Sequence, residues 1–368
     1  MKEGGNKEMR AAVLKAIGDE NLVVEDDVEA VGPGPNEVRV KIVATGVCHS
    51  DLSAMNGTIP QAAPLVPGHE GAGEVIAVGE GVEDVAVGDH VIVAWVPPCG
   101  KCKWCLNGQP NLCTQIMFGA GIMPRFQENG SPVFGCFGTG TFAEEVVLPK
   151  QSVVVIPKDV PFEIASLLGC GVMTGIGAAI NAAKIKPGSS VVVYGCGGVG
   201  ISVIQGARLA GAAEIVAVDP VEAKFDQIRH FGATHVVTPE GLAAAKDEVT
   251  QGDGFDYAFE AVGKSETIRA SFDAARRGGT VVVVGAGRAE DIVSFNAFEL
   301  FFAEKDLKGT VYGSADVRVD FLRLIRLWKA GRLDLESMIT SRLDLSGIND
   351  ALNALRAGSV IRQVITFN

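Results

Sequence analysis

The chain has 368 residues, 47% hydrophobic and 21% charged, and its 32 basic and 44 acidic side chains give a net charge of −12. The length favours two domains and the composition a large buried core. The acidic balance argues against nucleic acid or an anionic membrane as an electrostatic partner, and no apolar run of membrane-spanning length is expected.

The opening MKEGGNKEMR lacks the apolar centre of an export signal. It reads as an extension ahead of the first strand, with Met9 as a candidate alternative start, and a cytoplasmic protein with reduced thiols is expected. From Arg10 to about Val155 the pattern is β-rich. The runs EVRVKIVATGV, GAGEVIAVG, DHVIVAWV and FAEEVVL are separated by Gly and Pro turns. Thr114 to Gly140 reads as a long irregular segment, a length tied to function or to an interface. Phe162 to Ala183 turns helical. SSVVVYG is then a continuous apolar run, a helix is expected from Gly198 to Ala210, and EIVAVD, HVV, FDYAFEAV and TVVVVGAG follow with helical stretches between. Strands alternating with helices predict an α/β fold with a parallel, doubly wound sheet. Beyond about Val311 the chain reads helix, strand (ITSRLDL), helix, strand (IRQVITF). The expected layout is a nucleotide-binding domain over 175–312, inserted into a β-rich domain built from 1–174 and 313–368.

The middle segment carries Gly195-Cys-Gly197-Gly198-Val199-Gly200 between VVVY and a helical pattern. Such glycines permit a tight turn and close approach of the backbone to a pyrophosphate, which the helix N-terminus then faces. Asp219 ends the next strand, nineteen residues after Gly200. A carboxylate there accepts from ribose hydroxyls and repels a 2′-phosphate, which argues for NAD over NADP. Lys224 reads equally as a second ribose contact or as a solvated surface lysine.

Cys99, Cys102, Cys105 and Cys113 follow the spacing Cys-x2-Cys-x2-Cys-x7-Cys, within a lobe of about 97–115. Disulfides so close in sequence would be strained, and a redox pair needs only one Cys-x-x-Cys. One tetrahedral zinc is the expected occupant and an iron–sulfur cluster the competing one. Four protein ligands leave no open position, so this site is expected to be structural. A catalytic zinc needs three ligands and a free position. Cys48 in ATGVCHSDL, His69 in PGHEGAG and Cys170 in LLGCGVMTG supply such a set. Each alone reads as inert, and spacing does not show that they converge.

In their order along the chain, GHEGAG, the four-cysteine lobe, GCGVMTG, GCGGVG and IRQVITF resemble the zinc-dependent alcohol dehydrogenases of the medium-chain dehydrogenase/reductase superfamily, from about Arg10 to Asn368. The resemblance implies a GroES-like catalytic domain plus a Rossmann NAD-binding domain, with two zinc ions per chain. It implies Cys48, His69 and Cys170 as catalytic zinc ligands, Asp51 on the far nitrogen of His69, and Glu70 behind the metal. Ser50 would hydrogen-bond the substrate oxygen, His49 and Arg362 the cofactor pyrophosphate, and Val199 and Thr174 would pack near the nicotinamide. The implied reaction interconverts primary alcohols and aldehydes by zinc-alkoxide formation and hydride transfer to NAD.

The chain also departs from that pattern. Ser53 stands where many members place a proton-relay histidine. Met117, Ile59 and Gln61 stand where glutathione-dependent members carry charged residues, so no glutathione requirement is expected. Ile59, Trp95, Phe118 and Phe142 fall where such enzymes line an apolar substrate channel, and each also reads as plain core. The length of Thr114–Gly140 resembles dimeric members, so a homodimer is expected. Cys136 and Cys196 receive no role. An aldehyde reductase, or an alcohol:acceptor oxidoreductase that retains its cofactor, uses the same residues. A non-catalytic nucleotide sensor is disfavoured because all three ligands are present.

Overall fold

The computed structural model describes residues 8–115 and 123–367. Met117 and Phe118 lie outside them. Ten strands come first: β1 (Glu8–Val13), β2 (Val23–Ala30), β3 (Glu37–Val47), β4 (Leu65–Val66), β5 (Glu70–Val78), β6 (His90–Val93), β7 (Phe126–Glu128), β8 (Ser131–Gly135), β9 (Glu145–Pro149) and β10 (Val153–Ile156). The middle of the chain holds β11 (Ser190–Tyr194), β12 (Glu214–Val218), β13 (His235–Val237), β14 (Phe255–Glu260), β15 (Ala275–Val283) and β16 (Asp306–Gly309). β17 (Ile339–Leu343) and β18 (Arg362–Thr366) come last. The chain divides into two compact units. The first takes the chain up to Cys170, Asp316–Lys329, and Leu335 onward; the second takes Gly171–Ala315 and Ala330–Asp334.

The first unit holds a five-stranded sheet, β1-β2-β7-β8-β4, and a seven-stranded one, β10-β6-β5-β3-β18-β17, in which β9 also pairs with β3. β3 alternates buried and half-buried positions at first, then is buried throughout from Ala44 to Val47. It runs antiparallel to β5 and β18, setting Gly46 opposite Glu70 and Val47 opposite Gln363. The end of β3 therefore lies beside the starts of β5 and β18. Cys48, Glu70 and Arg362 are gathered at one end of the sheet by register alone.

Two expectations change here. The first strand already begins at Glu8, with Met9 buried in it, because β1 pairs with β2 as far as Glu8 opposite Glu29. The segment Thr114–Gly140 is not irregular throughout. β7 and β8 form a hairpin with Glu128 opposite Ser131, turned by Asn129 and Gly130 at φ of 50° and 75°. Two left-handed residues suit a two-residue hairpin turn, and Asn-Gly is its strongest sequence signal.

In the second unit six parallel strands take the order β13-β12-β11-β14-β15-β16. Val191, Val192 and Val193 are fully buried, as a strand covered on both faces requires. The helix Gly198–Leu209 follows β11. At the far edge the helix Ala297–Ala303 breaks the rule of apolar burial. Its Phe298, Phe301 and Phe302 are 68%, 78% and 52% exposed, and Leu307 on the edge strand β16 is exposed too. Helical residues 162–183 correct a further expectation, since they are long and apolar enough to cross a bilayer. Their most apolar window is 89% buried inside the protein, as in a core helix.

Candidate active site

The first cluster is built around a buried carboxylate. The helix His49–Met55 begins directly after β3 and carries Asp51 in its first turn. Asp51 Oδ2 accepts from Cys48 N at 2.9 Å, and Oδ1 accepts from Gly68 N at 3.0 Å and faces His69 Nδ1 at 2.9 Å. Asp51 thereby keeps a proton on Nδ1 and turns Nε2 away from itself. Buried His69 Nε2 has no hydrogen-bond partner among the described residues. Cys48, His69, Glu70 and Cys170 are all buried, and each offers a ligand atom within 4.8 Å of the others. Two sulfurs, an orphaned imidazole nitrogen and a nearby carboxylate suit zinc.

Burial opposes a charged His69, but the charge and hydrogen bond of Asp51 outweigh it and raise the imidazole well above its usual range. The Cys170 hydrogen bond, helped by His69 and Arg362, holds Cys48 well below the ordinary thiol range despite burial, and the same Cys48 contact pushes Cys170 up. Arg362 Nη1 approaches Glu70 Oε1 at 3.4 Å, both side chains being buried. Ser50 Oγ lies 3.7 Å from Cys48 Sγ. His49 is exposed and Ser53 half-buried on the same helix.

Glycines make this packing possible. A Cβ on Gly46 would lie 2.1 Å from Glu70 Oε2, and one on Gly169 would lie 3.1 Å from Glu70 Cα. Gly68 has φ 91°, and a Cβ there would strike Phe142 at 2.6 Å. Cys170 sits in a π-helical turn, Leu168–Val172, a feature frequent at functional sites.

The second cluster is the cysteine lobe. The sulfurs of Cys102 lie 3.6 Å from Cys105 and 3.9 Å from Cys113. Four thiolates about 2.3 Å from one zinc stand about 3.8 Å apart. All eight cysteines are free, which removes the disulfide reading. Backbone N–H groups of Cys99 and Cys102 donate to Cys113 and Cys99 Sγ, both at 3.3 Å. Such donors stabilise thiolates. Lys101 and Cys102 amides bring the Cys99 thiol down to about 6, while burial pushes Cys105 up to about 12.

The glycine turn lies in the second unit. Gly195 has φ 85°, and a Cβ on Gly200 would fall 1.8 Å from Gly195 O. A Cβ on Gly197 would meet nothing within 4 Å, leaving an open cradle beside the helix start at Gly198. Asp219 Oδ2 accepts from Cys196 N at 2.9 Å and Lys224 Nζ at 2.6 Å. Lys224 is therefore a buried partner of Asp219 and not a solvated surface lysine. Cys196 contributes backbone atoms, its side chain being fully buried. Gly175 lets the helix carrying Thr174 close on the start of the next one, since its Cβ would fall 2.4 Å from Val199 O.

The channel residues divide. Trp95 lies edge-on to His69, 6.1 Å between ring centroids. Ile59 is half-buried just past the helix His49–Met55, its N–H bonded to Ser53 O at 2.9 Å. Phe142 is corrected to core: it is fully buried in the main apolar cluster against Gly68. The aromatic ring beside the site is Phe137, which the sequence reading missed. It stands 5.2 Å from His69 and 5.2 Å from Trp95. Glu260 was missed as well. Its Oε1 accepts from Val262 N, Gly263 N and Thr267 Oγ1, pinning a turn whose Val262 packs on Gly195. An acid closing the apolar run FDYAFE was the available signal.

These two clusters and the glycine turn define a zinc-binding dehydrogenase. Family models match the alcohol dehydrogenase GroES-like domain over residues 34–158 and the zinc-binding dehydrogenase domain over 198–328. S-(hydroxymethyl)glutathione dehydrogenase of Paracoccus denitrificans is 38% identical over 97% of this chain and 99% of its own. The structure of benzyl alcohol dehydrogenase from Acinetobacter calcoaceticus aligns with TM-score 0.91 and 33% identity, covering 98% of this chain and all of that one. An alcohol dehydrogenase zinc-binding domain protein from Burkholderia ambifaria aligns with TM-score 0.92 and 32% identity over 99% and 100%. The chain belongs to the zinc-dependent alcohol dehydrogenases of the medium-chain dehydrogenase/reductase superfamily.

The Gly46–Glu70 contact is testable. Gly46→Ala should destabilise the fold by about 1–3 kcal/mol, the usual cost of overpacking, and should lower zinc retention by displacing Glu70. Urea denaturation and metal analysis read both, and an unchanged midpoint with full zinc would show that Glu70 has room to move.

Proposed function

We propose that the chain is an NAD-dependent alcohol dehydrogenase acting between hydrophobic primary alcohols, aliphatic or aromatic, and their aldehydes, with one catalytic and one structural zinc. The observation that carries this reading is the convergence of Cys48, His69 and Cys170, with His69 Nε2 buried and unbonded. When bound, zinc supplies a Lewis acid toward the substrate oxygen and NAD a hydride acceptor. Asp51 keeps His69 in the tautomer that presents Nε2. Glu70 is engaged by Arg362, so Cys48, His69 and Cys170 would hold the zinc and the substrate oxygen could complete its ligand set. Ser50 Oγ would accept the proton of the substrate hydroxyl while giving up its own, and Ser53, at the usual relay position, offers no imidazole to carry it on, so release would run through water or the cofactor ribose. Trp95 and Phe137 shield His69 and give the alcohol an apolar wall.

Support for NAD comes from both units separately. Arg362 Nε and Nη2 are buried with no hydrogen-bond partner among the described residues, which suits a phosphate, and exposed His49 follows β3, whose Val47 pairs with Gln363 next to Arg362. Gly195, Gly197, Gly198 and Gly200 form the cradle, Thr174 and Val199 pack close by, and Asp219 with Lys224 offers a carboxylate to ribose hydroxyls. Both directions use the same groups, so aldehyde reduction follows from the same site. The amide of Gln61 is occupied by Pro60 O and Phe137 N, and Ile59 is apolar, which supports catalysis without glutathione. Unpaired cysteines support a cytoplasmic setting. The exposed phenylalanines beside edge strand β16 support a homodimer joined at that face.

Protein loaded with two zinc ions per chain should reduce NAD with benzyl alcohol and hexanol, and NADP at least tenfold less efficiently; glutathione should not accelerate formaldehyde oxidation. Failure with every alcohol, in protein showing no bound-cofactor absorbance, would overturn the reading. Ser53→His should raise alcohol oxidation at neutral pH by several-fold and shift the pH–rate profile to lower pH; an unmoved profile would show that the missing relay at position 53 does not limit proton release. Phe298→Glu with Phe301→Glu should convert a dimer into a species of the single-chain mass, 38.4 kDa, by sedimentation. A double variant that sediments like wild type would place the interface elsewhere.

A further inference from the structure

Phe137 holds φ 51° and ψ 28°, the left-handed region that bulky residues avoid. Its flanks are tied down. Thr139 donates to Cys136 O through N at 2.9 Å and through Oγ1 at 2.7 Å, and Oγ1 also reaches Gly68 O at 3.0 Å. The N–H of Phe137 itself donates to Gln61 Oε1 at 3.1 Å, across 76 residues of sequence. Gln61 Nε2 donates to Pro60 O at 2.7 Å, which orients the amide so that its oxygen faces Phe137. In this conformation the Phe137 ring stands edge-to-face with His69, at 86°, and tilted at 44° to Trp95. An extended or right-handed backbone at 137 would aim the ring elsewhere.

We infer that Gln61 is a specificity-determining positioning residue: through the Phe137 N–H it fixes a left-handed turn that sets an aromatic corner, Phe137 with Trp95, beside the His69 zinc ligand. This rests on the dehydrogenase reading above. Gln61 touches neither zinc ligands nor reacting atoms; it acts through the ring it orients. Two aromatic walls meeting beside a metal ligand suit a flat ring on the carbon that bears the hydroxyl, through offset and edge contacts. The corner therefore selects benzylic over small aliphatic alcohols.

The test is a double-mutant cycle on the ratio of kcat/KM for benzyl alcohol to that for ethanol. Gln61→Leu, which removes the acceptor at a half-exposed position, should lower the ratio about tenfold, mainly through KM for benzyl alcohol. Phe137→Gly, suited to a left-handed backbone and so expected to fold, should lower it by at least as much. The double variant should match Phe137→Gly alone, because Gln61 acts only through that ring. An unchanged ratio in Gln61→Leu, or losses that multiply in the double variant, would overturn the inference. Calorimetric binding of benzamide, an unreactive carbonyl analogue, to the zinc-loaded protein reads the same corner without turnover. Binding about tenfold weaker in Gln61→Leu supports the inference even where the wild type oxidises no alcohol and the dehydrogenase reading falls. Equal binding in both proteins counts against Gln61 whatever the turnover.

Discussion

One buried carboxylate organises the metal centre. Asp51 takes the N–H of Cys48, the N–H of Gly68 and the Nδ1 side of His69. A carboxylate with no water around it is tolerable only when its oxygens are satisfied, and each charge-assisted bond contributes about 1.5–3 kcal/mol against that cost. The same three bonds locate two of the proposed zinc ligands, Cys48 and His69, relative to each other. Cys48 belongs to the end of β3 and His69 to the approach to β5, and the helix His49–Met55 carries the group that joins them. The tautomer of His69, the position of Nε2 and the start of that helix are thus one structural decision.

Around this point the backbone comes unusually close. Gly46 opposite Glu70 in the β3–β5 ladder, and Gly169 over Glu70 Cα, leave room for a carboxylate that any side chain would displace. Arg362 reaches Glu70 because β18 lies against β3 from the other side. The cationic guanidinium offsets negative charge at the site and, after the Cys170 hydrogen bond, helps hold Cys48 below the ordinary thiol range.

Some of this was legible in the sequence because it is local. Four cysteines within fifteen residues and a GxGxxG turn between an apolar run and a helix state their chemistry by spacing. Cys48, His69 and Cys170 do not. Their convergence depends on an antiparallel register and a π-helical turn, and here resemblance supplied the grouping. The Asn129-Gly130 hairpin carried a readable signal that lay hidden in a segment taken as irregular. Phe137 and Phe142 show the harder limit. They lie five residues apart in similar Gly- and Thr-rich surroundings, and only the left-handed backbone at Phe137 sends its ring toward His69 while Phe142 packs behind Gly68. No periodicity distinguishes such neighbours. The pairing of Lys224 with Asp219 was likewise invisible, because exposure of a lysine is a property of the folded turn.

The turn that carries Phe137 and the residue before His69 meet at a single backbone oxygen. Gly68 O accepts from Thr139 Oγ1, Gly140 N and Thr141 N. The next residue is His69, and the N–H of Gly68 belongs to Asp51. The turn that carries Phe137 is therefore bonded to the same residue, Gly68, that Asp51 holds beside His69. Alterations at residues 139–141, whose N–H and hydroxyl groups bond Gly68 O, would pull on Gly68 and are costly to the geometry around His69. Substitution of Gln61 reaches Phe137 through one hydrogen bond, and that bond does not involve Gly68. Relatives that act on different alcohols with the same metal chemistry can thus diverge at that position at little cost to the centre. The physical reason is the separation between a bond that positions a ring and bonds that position a ligand.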